Sequence, residues 1–178
     1  MADASERALG PIHQLQAFEL SLACRLAEDV GNRFTLLVLR AASRLGDWGL
    51  SVLVGLLLLV LQGRRALAAW TAASLAAVAL QCLLKRLSAR ARPCERPGGP
   101  PQRVPIPDKG SFPSGHSLHA VMAVVVIAQI EPVLTLPFLC LAGLVATSRV
   151  ALGVHYPSDV LAGGALGVVF GGLVGAAC

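Results

Sequence analysis

Residues 148–175 read SRVALGVHYPSDVLAGGALGVVFGGLVG, and this stretch decides the fold. Its first half holds Ser148, Arg149, His155 and Asp159. From Val160 to Cys178 there is no charged residue. Pro157 suits the first turn of a helix, and the uncharged run after it is long enough to cross a bilayer. The polar half therefore sits where membrane meets water. Gly163, Gly167, Gly171 and Gly175 form a four-residue stripe along that helix. Such a stripe lets a neighbouring helix approach closely. Packing inside one bundle is the preferred reading, and a homodimer seam is the alternative.

Composition agrees with a lipid solvent. The chain has 178 residues, one domain by length. It is 55% hydrophobic and 14% charged, with a mean hydropathy of +0.69, whereas soluble domains carry about a quarter charged residues. The net charge of +5 is local. Seven basic residues (85, 86, 90, 92, 96, 103 and 109) face only Glu95 and Asp108 between Lys85 and Lys109. A basic patch can serve nucleic acid, lipid headgroups or a phosphorylated substrate. Aromatics are 4% of the chain, too few for a base-stacking surface, so a nucleic-acid partner is excluded. The five cysteines show no metal or disulfide spacing. The polar start Met1–Ser5 is not followed by a cleavable signal.

Working outward, five apolar segments are expected to cross the membrane: Trp48–Leu61, Ala66–Leu84, Ser114 or Gly115 to Ile130, Val133–Thr147, and Val160–Cys178. Residues 11–45 alternate apolar and charged positions with a break at Gly31-Asn32. They read as two amphipathic helices on the interface or, alternatively, as a cap packed on the bundle. The expected fold class is all-α: an integral membrane helical bundle with N-terminal amphipathic helices at 1–46 and a transmembrane bundle at 47–178, together one domain. Counting crossings brings Lys85–Pro93, Pro113–His116 and Ser148–Asp159 to one membrane face. Arg64-Arg65 lies on the other, which the positive-inside rule makes cytoplasmic.

Those three clusters supply the parts of a phosphate site. Lys85, Arg92 and Arg149 are cations suited to phosphoryl oxygens. Pro93 is expected to stop the preceding helix and hold Arg92 at its end. Arg86, Arg90 and Arg103 read better as membrane-surface anchors. Pro113-Ser114-Gly115-His116 reads as a helix start with free N–H groups for an anion, or simply as a helix cap. His119 is a structural or rim residue. Asp159 can reach back to one nitrogen of His155 and leave the other free to attack phosphorus. His116 can then protonate the leaving oxygen. A satisfied buried polar pair is the plainer reading of His155 and Asp159. Acidic residues near the clusters show no metal-cage spacing, so no metal and no cofactor are expected.

With these residues in hand, the chain resembles the type 2 phosphatidic acid phosphatase (PAP2) superfamily over roughly Ala66–Cys178. Lys85, Arg92 and Pro93 match the first motif, Ser114, Gly115 and His116 the second, and Arg149, His155 and Asp159 the third. The resemblance implies metal-independent hydrolysis of a lipid phosphate, with His155 as nucleophile, Asp159 as its orienting partner and His116 as general acid. It implies Lys85, Arg92, Ser114, the Gly115 N–H and Arg149 as phosphate ligands. The expected partners are the bilayer and a membrane lipid substrate: undecaprenyl or another isoprenoid diphosphate, phosphatidylglycerol phosphate, or phosphatidic acid. The expected location is a bacterial inner membrane with the site on the periplasmic face. A non-catalytic lipid binder or scramblase, and a vanadate-dependent haloperoxidase, are the competing readings.

Overall fold

The computed structural model describes residues 11–106 and 108–177, and every described regular element is helical. Met1–Ser5 and Cys178 lie outside the described residues. In chain order the helices are α1 (Pro11–Glu28), α2 (Arg33–Arg44), α3 (Leu50–Leu61), α4 (Arg64–Ser88), α5 (Gly115–Ile130), α6 (Thr135–Ala151) and α7 (Pro157–Gly175). Among the described residues, four helical stretches are long and apolar enough to cross a membrane: Arg33–Leu61, Arg64–Glu95, Pro132–Ala151 and Pro157–Gly175. The fifth, α5, has 16 residues and spans about 24 Å, short of the ~30 Å hydrocarbon core. Outward-facing Val60, Leu75, Leu136 and Leu161 are exposed apolar side chains of the kind lipid solvates.

The N-terminal helices depart from a purely interfacial layer. Gly31 and Asn32 do break the chain, and the Asn32 side chain caps α2 by accepting from Thr35 N at 2.7 Å. But α2 does not stop before the first apolar segment. It runs into α3 through a π turn, Leu45–Gly49, bent at Asp47 (ψ −150°). The expected boundary at 46/47 thus falls inside a continuous helical path. Both helices dock: Ala23 and Ala27 of α1, and Leu39, Ala42 and Ser43 of α2, are buried. Phe18 and Phe34 remain outside, so each helix keeps an apolar face for the interface.

The end of α4 also differs from expectation. Ala89 adopts a left-handed conformation (φ 44°), and its N–H closes on Lys85 O. That ends the helix four residues before Pro93. Arg92 is extended (ψ 157°), as a residue before proline prefers. It starts a short 3₁₀ turn, Pro93–Glu95, and Glu95 accepts its backbone N–H at 2.8 Å.

The glycine stripe is spent inside the chain. Gly163, Gly167 and Gly171 are buried against α5. A side chain at Gly163 would strike the Ser114 carbonyl, and one at Gly167 would strike the Leu118 carbonyl. This contact brings the first turn of α7 to the first turn of α5, where Ser114 N donates to Asp159 O at 2.9 Å. The ends of α4 and α6 that carry Lys85 and Arg149 meet the same corner.

Candidate active site

Lys85, Arg92, Gly115, His116, Arg149 and His155 line one cavity of about 290 Å³. Residues of all three sequence clusters, drawn from three helix ends and two loops, therefore share one compartment. Ser114 and Asp159 stand behind its wall, and neither is exposed.

His155 is 2% exposed and sits in the loop between α6 and α7. Its Nδ1 lies 3.5 Å from Asp159 Oδ2, an electrostatic contact rather than a well-formed hydrogen bond. Nδ1 has no other protein partner among the described residues. That proximity favours the tautomer with hydrogen on Nδ1 and the lone pair on Nε2. Nε2 lies 3.4 Å from Arg92 NH1. Burial above all pushes the His155 pKa down to about 4; the Arg149 and Arg92 charges lower it too, and Asp159 opposes them. The imidazole is therefore neutral at physiological pH.

Asp159 is held on three sides. Its Oδ2 accepts Tyr156 N at 2.8 Å, capping α7. Its Oδ1 takes Arg90 NH1 at 2.6 Å. Arg90 is thus no membrane anchor: its other amino group pairs with buried Glu19 of α1 at 2.6 Å, and its guanidinium stacks 4.1 Å over Tyr156. Glu19 also accepts Ser158 N at 2.8 Å. The first helix therefore clamps the first turn of α7.

The cations are buried and only partly partnered. Arg92 is 2% exposed; NH1 donates to Val154 O at 2.8 Å and NH2 to Asp108 Oδ1 at 2.8 Å. Lys85 pairs with the other oxygen of Asp108. Arg149 is anchored by Ser43 of α2. The Nε groups of Arg92 and Arg149 are buried without an acceptor among the described residues. Buried unpaired N–H groups are costly, and an anion in this cavity would relieve both.

Two second-motif residues fill other roles. The Ser114 hydroxyl caps α5, accepting from Ser117 N at 3.4 Å and from Ser117 Oγ at 3.0 Å; it does not line the cavity. Gly115 allows a close approach, but to Gln81 of α4. With its amide oxygen turned inward, Gln81 accepts the Gly115 N–H at 3.2 Å and Lys85 Nζ at 3.1 Å. His119 backs onto Gly115 O at 3.0 Å and lines the cavity rim.

Sequence reasoning missed four residues. Asp47, in the π turn, pairs with His116 Nε2 at 2.6 Å. Asp108 bridges Lys85 and Arg92. Glu19 and Gln81 complete the supports. Gln81 alone had a local signal: a polar residue in an apolar helix, one turn before Lys85. Among the described residues no His/Cys/Asp/Glu group is placed to hold a metal ion.

Asp108 occupies the charges that a phosphate oxygen would use. Asp108→Asn is expected to tighten competitive inhibition by vanadate, lowering Ki by about fivefold, the upper end for a half-exposed ion pair. An unchanged or raised Ki would show that Asp108 does not compete for those cations.

Two buried guanidiniums, a lysine and a neutral histidine at the rim of a membrane bundle define an integral-membrane hydrolase of phosphorylated lipids. The PAP2 superfamily profile matches residues 66–176, and the chain belongs to that superfamily. It is 36% identical over 141 residues to the decaprenylphosphoryl-5-phosphoribose phosphatase of Mycobacterium tuberculosis, covering 76% of each chain. Its structure is similar to the PAP2 type phosphatidylglycerolphosphate phosphatase of Bacillus subtilis, with a TM-score of 0.74 and 25% identity over 90% of this chain and 84% of that one. Aquifex aeolicus LpxE shares the fold, with a TM-score of 0.75, 22% identity, and coverage of 87% and 93%.

Proposed function

We propose that this enzyme removes the terminal phosphate of a membrane lipid through a phosphohistidine at His155. One observation carries the reading: the neutral His155 shares a cavity with His116 and with Lys85, Arg92 and Arg149. The lone pair on Nε2 attacks phosphorus, and the bond from phosphorus to the lipid oxygen breaks. His116 gives its proton to that oxygen, and Asp47 Oδ1, 2.6 Å from His116 Nε2, holds the ring in position for the transfer. Asp159 steadies the positive charge that His155 acquires. Water then attacks the phosphohistidine, its proton passing to His116, and inorganic phosphate leaves. The Arg92 and Arg149 guanidiniums and Lys85 stabilise the equatorial oxygens, while Gln81 holds the Gly115 N–H. Ser114 acts as the cap that fixes this turn.

An apolar groove of about 300 Å³ between α3 and α4, lined by Leu56, Leu67 and Val78, joins the catalytic cavity at Trp48 and His119. It suits the hydrocarbon part of the substrate. The mycobacterial relative supports a polyprenyl-linked substrate, and an isoprenoid diphosphate or phosphatidylglycerol phosphate comes next. Arg64 and Arg65 open α4 at the end opposite Lys85; the positive-inside rule then supports a bacterial inner membrane with the site facing the periplasm. Because Glu19, Ser43 and Asp47 support catalytic groups, the whole chain acts as one catalytic unit.

The test is phosphate release from polyprenyl diphosphate, phosphatidylglycerol phosphate and phosphatidic acid by purified protein in detergent with excess EDTA. Release in EDTA is expected, with an acid-labile, alkali-stable ³²P label on the protein. No release, or release only after Mg²⁺ is restored, would overturn the reading.

A further inference from the structure

A second cavity, of about 520 Å³, lies beside the catalytic one. Arg40 and Arg44 of α2 line it with Arg103 from the loop before α5. Residues four apart share a helix face, so Arg40 and Arg44 present their charges together. Arg40 Nε donates to Arg103 O at 3.0 Å, and Arg103 NH1 donates to Val30 O at 3.1 Å. These are backbone carbonyls, which fix the guanidiniums without neutralising them. No carboxylate among the described residues forms an ion pair with Arg40, Arg44 or Arg103. Asp47 reaches this cavity but is engaged with His116.

The two cavities share Asp47, Trp48, His116 and Arg149. His116 is the group that protonates the leaving oxygen, so the leaving group departs on its side. What departs therefore meets the arginine-lined cavity. A neutral diacylglycerol would gain nothing from three unpaired guanidiniums. A leaving group that carries its own phosphate would gain charge-assisted hydrogen bonds.

We propose that this cavity is a second anion subsite, which binds a further phosphate of the lipid's leaving group. The proposal rests on the lipid phosphatase reading above and narrows it. The substrate is a lipid with two phosphates, one cleaved at His155 and one retained, and not a lone phosphomonoester.

The experiment uses the full chain in neutral detergent and three substrates. Phosphatidylglycerol phosphate sets its second phosphate back by a glycerol, a polyprenyl diphosphate has it adjacent, and phosphatidic acid lacks it. Arg44→Gln is expected to raise KM roughly tenfold for either or both two-phosphate lipids, the effect of losing one charge-assisted hydrogen bond, with kcat unchanged. Phosphatidic acid hydrolysis should not change. Arg40→Gln/Arg44→Gln should widen the gap. The arm that responds reports the spacing of the second phosphate. An equal loss on all three lipids would mean general membrane attachment, and no loss on any would mean that the arginines are bystanders; either overturns the proposal.

A second measurement does not depend on catalysis. Phosphatidylglycerol and a polyprenyl monophosphate, the retained halves of the two lipids, are each bound to the protein in phosphatidylcholine nanodiscs with saturating vanadate. Arg44→Gln should weaken the binding of at least one of them roughly tenfold. Unchanged binding of both overturns the subsite. If the wild type releases phosphate from none of the lipids, the phosphatase reading falls separately.

Discussion

His155→Ala is expected to reduce lipid phosphate hydrolysis on the order of 10⁴-fold or more, as removal of a covalent nucleophile does. The ³²P label on the protein should vanish with it. Vanadate should still bind, because Lys85, Arg92 and Arg149 remain. That combination separates a lost nucleophile from a collapsed site. Equal rates in wild type and variant would remove His155 from the mechanism. The pH dependence follows from the same residue. Its buried imidazole stays neutral until the pH approaches its depressed value of about 4. For the free enzyme, kcat/KM should therefore not fall as pH drops through 6.5; the acid limb belonging to His155 should appear only toward 4. An acid limb centred near 6.5 would mean that the imidazole is solvated. Stability carries the matching sign. The unfolded chain takes up this proton near 6.5 and the folded chain near 4, so stability falls as pH drops across that window. His155→Ala should flatten that slope.

The parts of this site that were legible in the sequence are those whose chemistry is local. Apolar runs of membrane-spanning length, a proline-opened helix with His155 and Asp159 one turn apart, and a four-residue glycine stripe each follow from short-range periodicity. Counting helical crossings then puts Lys85, His116 and Arg149 on one face, because alternate ends of successive spans must share a side. What could not be read were the pairings fixed by tertiary approach. Arg90 looks like a surface anchor until Glu19, 71 positions away, closes over it. Asp47 looks like a flanking charge until the π turn bends it onto His116. Asp108 sits in a proline-rich loop with no period, and only the folded loop carries it between Lys85 and Arg92. The end of α4 differs from the expected one for a related reason. Proline is a strong stop signal, but Ala89 ended the helix first by taking a conformation that alanine rarely adopts.

The glycine stripe gives the second large effect, and it couples packing to chemistry. The α5–α7 seam holds His116 and the Ser114 cap beside His155 and Asp159, so in the proposed mechanism its spacing sets the distance from acid to nucleophile. At Gly167 a Cβ would meet the Leu118 carbonyl and lie 2.9 Å from Met122 N. Both are backbone atoms, which cannot swing aside as a side chain can. Gly167→Leu should therefore destabilise the bundle by about 3 kcal/mol or more, at or beyond the usual cost of overpacking. Gly172, five residues on, faces outward and has nothing within 4 Å of an added Cβ. Gly172→Leu should leave both melting temperature and activity unchanged. Gly167→Ala is the sensitive intermediate case. Its single methyl should lower kcat more than it lowers the melting temperature, because a small separation of α5 from α7 misplaces the acid relative to the nucleophile before it unfolds the bundle. Thermal unfolding in detergent, with activity measured on the same samples, reads both quantities. If Gly167→Leu and Gly172→Leu melt alike, the stripe does not hold α7 to α5, and the alignment of the two histidines must come from the loops.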